Sequence, residues 1–300
     1  MKKARDPRIL ANITVGFALF TIILILLAGR VLAGVDVFAH GEVYQGRSFM
    51  VFISETSDTP TLESVRDASL VFDGKKIAFY PYEKGMRAIV GCEPEKKPGE
   101  YPIEVKYTDN GGKVNLREIS IMVSPKTYPK VSFWLIPSKK KLLAPALVDD
   151  EWGQIEKKLL DESPAKLWYG FYLRPVPGIT TMPFGTREFV NGKPRSRHRG
   201  QDFRAQTGTP VAAAHNGKVV IAQFFKAFGG TVVIDHGQGI NTLYFHLSKI
   251  IAHPGQEVKK GDRIGLAGST GIASGPHLHW GMSVHDVRVD PMQWVETVIP

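Results

Sequence analysis

Four residues between positions 198 and 279 have the types and spacing to bind a metal ion. His198 and Asp202 lie four positions apart, and His277 and His279 flank one leucine. Alternate side chains of a β-strand lie on the same face, so an extended segment would bring His277 and His279 to one site. Catalytic zinc commonly has three imidazole or carboxylate ligands and keeps a fourth position for water. Each pair is weak evidence alone, but together they indicate a zinc site.

His246 is a fifth candidate, because it ends a predicted strand in the segment Tyr-Phe-His-Leu-Ser. The other histidines have no obvious ligand partner nearby in sequence, and we interpret them as surface or hydrogen-bonded residues. They are His40, His215, His236, His253 and His285. The single cysteine, Cys92, excludes an internal disulfide and a zinc site built from cysteines.

Taken together, these motifs resemble the lysostaphin-type (LytM-like) zinc metallopeptidases. The resemblance covers about residues 183–295 and is carried by His198-x-x-x-Asp202 and by the segments 244–248 and 275–279. Further matching positions are Phe184, Gly185, Thr186, Arg187, Asn191, Gly192, Gly200, Phe203, Gly261, Gly265, Gly268 and Gly271. One position departs from the family, which often has an acidic residue where this chain has Gly281.

The resemblance implies a role for each of the five residues. His198, Asp202 and His279 would bind one Zn²⁺ per chain, and His246 and His277 would be catalytic. The family cleaves peptide bonds in the stem peptides or cross-bridges of peptidoglycan. Its catalytic fold is a small antiparallel β domain with a groove across the sheet.

A histidine must assist hydrolysis at such a site. The chain has no helical His-Glu-x-x-His motif, which would supply a glutamate base to the zinc-activated water. His246 or His277 can accept the water proton, while the other stabilises the oxyanion or protonates the leaving amine. The sequence leaves open which histidine does which.

The rest of the chain predicts a mainly all-β protein. Thirty glycines and twenty prolines favour many turns and short strands. Residues 34–137 predict an immunoglobulin-like β-sandwich domain, with a hairpin turn at Asp73-Gly74. Residues 138–182 predict a linker with a short helix, and residues 183–300 the LytM-like zinc peptidase domain.

The linker helix is predicted from one apolar face. Val148, Trp152, Ile155 and Leu159 recur at helical spacing. Either Asp149 or Asp150 could cap its start, and Pro164 would stop it. The run Lys139-Lys140-Lys141 before it is interpreted as solvated.

Residues 1–33 predict export from the cytoplasm. Basic residues precede a mostly apolar run over 9–28. This run predicts either an uncleaved membrane-spanning anchor or a signal peptide cut after Ala33. In both cases residues 34–300 would lie in the periplasm or at the cell surface.

The charge of the chain argues against a nucleic-acid partner. The net charge is +9, and five of the basic residues lie within the first 33 positions. A mildly basic exported remainder suits the anionic cell wall. Two alternatives stay open: a non-catalytic LytM-like wall-binding regulator of another hydrolase, and a zinc peptidase acting on another extracytoplasmic peptide. Nothing in the sequence specifies an oligomeric state.

Overall fold

Strands dominate the computed structural model, which describes residues 35–39, 41–55, 65–83 and 85–300. Within this part of the chain, the helices are short and strands follow one another at close intervals. The prediction of a mainly β protein is therefore confirmed.

Two sheets from the first part of the described chain pack face to face as a sandwich. One sheet has the order β1 (Val35–Ala39), β3 (Ser48–Glu55), β7 (Gly85–Gly91) and β6 (Tyr80–Tyr82). The other has the order β2 (Glu42–Tyr44), β9 (Val114–Ser124), β8 (Gly99–Asp109), β4 (Val65–Phe72) and β5 (Lys75–Ala78). Alternate residues such as Val51, Leu70 and Val105 are fully buried in one shared core. A sandwich is present where one was predicted, and the domain boundaries stay predictions.

The turn predicted at Asp73-Gly74 joins β4 to β5. Phe72 pairs with Lys75, so only two residues form the turn. Both have positive φ, 52° for Asp73 and 75° for Gly74. This is the type I′ geometry that an Asp-Gly pair favours, because its twist matches the twist of the flanking strands.

A helical segment follows the sandwich. Strand β10 (Lys130–Phe133) precedes α1 (Pro137–Lys140), a 3₁₀ turn (Lys141–Leu143) and α2 (Pro145–Leu159). The apolar face of α2 is confirmed, since Ile155 and Leu159 are fully buried against the following sheet. The predicted cap at Asp149 or Asp150 is wrong. Pro145 begins the helix four or five residues earlier, because proline suits a first turn that needs no N–H donor. The helix ends at Leu159, before Pro164.

An antiparallel sheet of eight strands forms the centre of the remaining chain. Its order is β11 (Thr180–Met182), β14 (Gln201–Arg204), β22 (His277–Val284), β18 (Ile240–Leu247), β17 (Gly229–Gly237), β16 (Gly217–Phe225) and β20 (Glu257–Val258), with β23 (Val287–Val289) also paired to β22. Phe203, Tyr244 and Trp280 are fully buried in its core. The small antiparallel β fold that the family resemblance implied is present.

Two smaller sheets and one helix border this central sheet. Strand β10 pairs in parallel with β12 (Arg187–Val190), which forms a hairpin with β13 (Lys193–Arg197). The other small sheet has the order β15 (Pro210–Ala212), β21 (Arg263–Leu266) and β19 (Lys249–Ile250). Helix α3 (Met292–Glu296) lies near the end of the chain.

Buried polar contacts join the sandwich to the part of the chain that forms the central sheet. The side-chain amide of Gln293 accepts from the Ser48 N–H and donates to the Ser48 carbonyl, both at 2.8 Å. Arg87, only 1% exposed, donates from Nη2 to Gln238 Oε1 at 2.7 Å. Buried polar groups need such partners to offset their desolvation. The two parts accordingly belong to one compact unit, Ala33–Pro300.

The predicted N-terminal anchor or signal segment, residues 1–33, lies outside the described residues, as does His40. Among the helices that the structure does describe, none combines the length and the apolar character needed to cross a membrane.

Gly185 provides a test of how the segment between β9 and β10 packs against the loop that precedes β12. Its φ is +81°, and a Cβ there would overlap the ring of Tyr128. Gly192 has a similar φ of +76°, but a Cβ there would meet no neighbouring atom within 4 Å. We expect Gly192→Ala to cost about 1 kcal/mol through backbone strain alone, and Gly185→Ala about 2–4 kcal/mol because overpacking adds to that strain. Urea unfolding measures both, and equal losses would contradict the packing argument.

Candidate metal centre

Antiparallel pairing brings Asp202 and His279 together. Strand β14 runs beside β22 with Asp202 directly opposite His279, and Arg204 opposite His277. Opposite residues of an antiparallel pair share a face of the sheet, and so do residues two apart on one strand. Asp202, His277 and His279 therefore lie on one face, as the sequence predicted for the two histidines.

Three ligand atoms converge beside β14. His198 Nε2 and His279 Nδ1 each lie 3.0 Å from Asp202 Oδ1. All three ligand atoms lie within 4.8 Å of one another. Ligand atoms of a tetrahedral zinc site are about 3.3 Å apart, given bonds of about 2.0–2.2 Å. The spacing therefore suits one zinc ion.

Two further observations fit a metal at this point. His198 Nε2 is buried and has no hydrogen-bond partner, although Asp202 Oδ1 is close. Buried polar nitrogens are rarely left in this state, and a metal ion would supply the missing partner of His198 Nε2. Gly200 leaves room for the ring of His279, because a Cβ there would overlap Nε2. The donor set and its orientation thus fit zinc.

The electrostatics keep the carboxylate charged. Burial opposes ionisation of Asp202, but His198 and His279 outweigh it and hold the pKa of Asp202 well below its ordinary range. Burial likewise opposes the charge on His198, yet Asp202 and Glu188 raise its pKa to about 9. Burial dominates at His279 and lowers its pKa to about 4. The shifts at Asp202 and His279 favour the ionised carboxylate and the neutral imidazole that bind a cation, whereas His198 would release a proton when a metal binds.

His246 reaches the site through a β-bulge. The register between β17 and β18 shifts so that Thr231 faces two residues, Phe245 and His246. Phe245 lies opposite His279 and its ring stacks on that imidazole at 5.3 Å. Regular alternation would therefore point His246 to the other face. Its φ of +63° re-aims the side chain, as bulges beside functional sites commonly do.

His246 and His277 stand side by side next to the ligand atoms. Their ring centres are 4.9 Å apart, and the His246 ring lies 6.0 Å from that of His279. His277 Nε2 is 3.6 Å from Asp202 Oδ2. The structure thus brings all five predicted side chains into one cluster.

Backbone carbonyls set the tautomers of these two histidines. His246 Nδ1 lies 2.9 Å from the Thr270 carbonyl, and His277 Nδ1 lies 2.8 Å from the Gly275 carbonyl. A carbonyl only accepts, so each Nδ1 carries the hydrogen and each neutral ring keeps its lone pair on Nε2. Burial, with His277 as the next cause, lowers the pKa of His246 well below its ordinary value. A neutral His246 can accept a proton.

The cluster opens into a cavity of about 630 Å³. All five candidate residues line it, together with Arg195 from β13 and Trp152 from α2. Such a volume accommodates a peptide segment of a few residues or another ligand of drug-like size.

The linker helix α2 contributes Trp152 to this cavity wall, and polar contacts attach the linker to the rest of the site. Buried Glu151 of α2 accepts hydrogen bonds from the N–H groups of Lys226 and Ala227 at 2.7 and 2.8 Å. Lys139 Nζ donates to the carbonyls of Ser269 and Gly271 at 2.7 and 2.6 Å. The interpretation of Lys139 as a solvated residue is therefore wrong, since its ammonium group binds a loop of the site.

Buried Arg288 accounts for the departure at Gly281. A Cβ at position 281 would overlap the Arg288 guanidinium, which is 5% exposed. Arg288 Nη2 donates to the Arg199 carbonyl at 2.5 Å, between two of the candidate ligands. Sequence reasoning missed Arg288 and Glu151 because each acts on a residue far away in the chain, and it missed Glu188 because its contact with His198, ten positions on, follows no motif spacing.

The other histidines that the structure describes behave as interpreted. His215 and His236 are fully buried and hydrogen-bonded to backbone or hydroxyl groups, and His285 pairs with Glu162 at 2.6 Å. His253 is exposed.

Comparison with known proteins identifies a family for one segment of the chain. Residues 196–291 match the family described as Peptidase family M23. The chain carries a peptidase family M23 domain. That segment contains all five residues of the cluster.

Two curated relatives of the M23 domain have descriptive names. The peptidoglycan DD-endopeptidase ShyA of Vibrio cholerae is 45% identical over 96 residues, which are 32% of this chain and 22% of ShyA. The DD-carboxypeptidase/endopeptidase Mpg of Neisseria meningitidis is 36% identical over 124 residues, 41% of this chain and 29% of Mpg. The chain thus spans less than a third of the length of either relative.

A solved structure extends the similarity beyond the M23 domain. The crystal structure of a candidate peptidase M23 from Pseudomonas aeruginosa is 27% identical to this chain, with a TM-score of 0.59. The match covers 79% of this chain and 95% of that one. The similarity therefore includes regions outside residues 196–291.

Removing one ligand candidate tests the centre directly. Asp202 Oδ1 is the atom that both His198 and His279 approach. Asp202→Ala should therefore weaken zinc binding by at least about 100-fold. This exceeds the usual effect of removing a residue that contacts a ligand and not the metal itself. Competition with a chromophoric chelator measures the affinity. Full zinc occupancy of this variant at stoichiometric metal would show that Asp202 is not a ligand.

Proposed function

We propose that this chain is a zinc-dependent endopeptidase that hydrolyses peptide bonds of peptidoglycan. One observation carries the proposal: His198 Nε2, Asp202 Oδ1 and His279 Nδ1 converge, and two further imidazoles stand beside them in a cavity. The names of ShyA and Mpg support peptidoglycan as the substrate.

The ligand set would be His198, Asp202 and His279. Zinc bound there would polarise the scissile carbonyl and make a water molecule acidic enough to ionise near neutral pH. Three protein ligands leave a position free for that water. The ionised Asp202 would offset part of the charge of the ion, and Gly200 leaves room for the ring of His279.

His246 and His277 would move the protons. Each exposes an Nε2 lone pair to the cavity, because a carbonyl holds the hydrogen on Nδ1. One histidine would take the proton of the water. The other, once protonated, would stabilise the oxyanion or protonate the leaving amine. Their 4.9 Å separation lets both reach one scissile bond.

If peptidoglycan is the substrate, the site would lie outside the cytoplasm. The predicted segment 1–33 supplies the route, with residues 9–28 as an anchor in the cytoplasmic membrane or as part of a signal peptide. Partners would then be wall peptides and, through this segment, the membrane.

Muropeptides provide the decisive test. The compact unit, residues 33–300, loaded with zinc and incubated with cross-linked muropeptides, should yield products of peptide-bond hydrolysis by mass spectrometry. A chelator should abolish the products and added zinc should restore them. A zinc-loaded protein that binds muropeptides without cleaving them would favour the regulator, and cleavage confined to unrelated peptides would favour another peptide substrate.

His246 should be needed for turnover and not for metal. His246→Ala removes a proton acceptor, so we expect zinc affinity within a few-fold of wild type and a rate lower by about 100- to 10,000-fold. His246→Asn is a matched variant, because asparagine tolerates the left-handed backbone at this position. Loss of zinc from both variants would contradict the assignment.

A further inference from the structure

Glu188 contacts His198 on the side of the ring away from the other ligand atoms. Its Oε1 lies 2.8 Å from His198 Nδ1, while Nε2 of the same ring faces Asp202. Glu188 and His198 are 8% and 6% exposed, so water competes little for this contact. No motif in the sequence singled out Glu188.

The contact selects one form of the imidazole. An ionised carboxylate accepts hydrogen bonds and cannot donate them, so His198 Nδ1 must carry the hydrogen. The lone pair of the neutral ring is then on Nε2, the atom that is buried without a hydrogen-bond partner. An acceptor on the outer nitrogen also holds the ring orientation and makes the inner nitrogen a better donor to a metal.

The fold holds Glu188 and His198 in register. The His198 N–H donates to the Thr186 carbonyl at 2.8 Å, and the Gly185 N–H donates to the His198 carbonyl at 2.9 Å. On its other edge β12 pairs with β10, with Val131 opposite Glu188. The carboxylate is thus placed by strands on both sides, and one of them comes directly from the sandwich.

We propose that Glu188 is a positioning residue that fixes the tautomer and ring orientation of His198 for metal binding. The inference rests on the proposed function only in taking His198 as a metal ligand. It extends the site to a residue outside the matched segment 196–291.

Zinc affinity tests this role without any hydrolysis. Glu188→Ala leaves Nδ1 without its acceptor and should weaken zinc binding by about 10- to 100-fold. Glu188→Gln keeps an oxygen that can accept but loses the charge, so it should weaken binding less. Asp235→Asn is the control, because Asp235 is also a buried strand carboxylate but lies on β17 and accepts from the Gly237 N–H, away from the cluster. It should bind zinc like wild type.

A spectroscopic signature separates positioning from general stability. In zinc-loaded wild type, ¹⁵N NMR should show a slowly exchanging proton on His198 Nδ1, and in Glu188→Ala that proton should exchange rapidly. The role is overturned if Glu188→Ala and Glu188→Gln both match the wild type in zinc affinity and in this signal. Should Glu188→Ala fail to fold, Glu188→Gln decides by zinc affinity, and an affinity equal to that of the wild type would overturn the role.

The outcomes also separate this inference from the proposed function. Weakened zinc binding in the Glu188 variants, together with a wild type that cleaves no muropeptide, would leave the positioning role standing and remove the endopeptidase. Muropeptide cleavage by the wild type, together with unaltered zinc binding in both Glu188 variants, would support the endopeptidase and overturn the positioning role.

Discussion

The register of β14 against β22 is the constraint on which the site depends. It sets Asp202 opposite His279, so that a carboxylate and an imidazole from distant parts of the chain share one face. A slip of one residue would move Asp202 to the opposite face and leave a buried carboxylate without partners. Phe203 and Trp280, fully buried on alternate positions of the same two strands, oppose any such slip. The apolar core on one face of the sheet therefore specifies the polar cluster on the other.

The cluster also requires local exceptions to regular strand geometry. His246 points into the site only because β18 contains an extra residue opposite Thr231 and adopts a left-handed conformation there. Such a conformation costs about 1–3 kcal/mol and persists when the surrounding structure determines it. The Thr270 carbonyl, which accepts from His246 Nδ1, is one contact that compensates for this cost. A regular strand would be more stable locally and would remove from the cluster one of the two imidazoles proposed to transfer protons.

The sequence predicts features that depend on a few neighbouring residues better than features that depend on pairing between strands. Period-two alternation was enough to place His277 and His279 together, and the Asp-Gly pair was enough to place a turn, because both rules act within a few residues. The bulge at His246 depends on the neighbouring strand, and alternation alone would have aimed this residue wrongly. Glu188 and Arg288 depend on pairing between strands, so no local spacing marks them. The predicted start of α2 was wrong because Pro145 begins the helix four or five residues before the acidic residues at 149–150.

The parts of the chain outside residues 196–291 shape the site as well as supporting it. Strand β10, next after the sandwich, pairs with the strand that carries Glu188. Helix α2 places Trp152 in the cavity wall and is held there by the two backbone hydrogen bonds to buried Glu151. Because a buried carboxylate is costly unless its oxygens are paired, this attachment resists displacement of the helix. The space available to a substrate is therefore set jointly by the M23 domain and by the linker, and not by the five clustered residues alone.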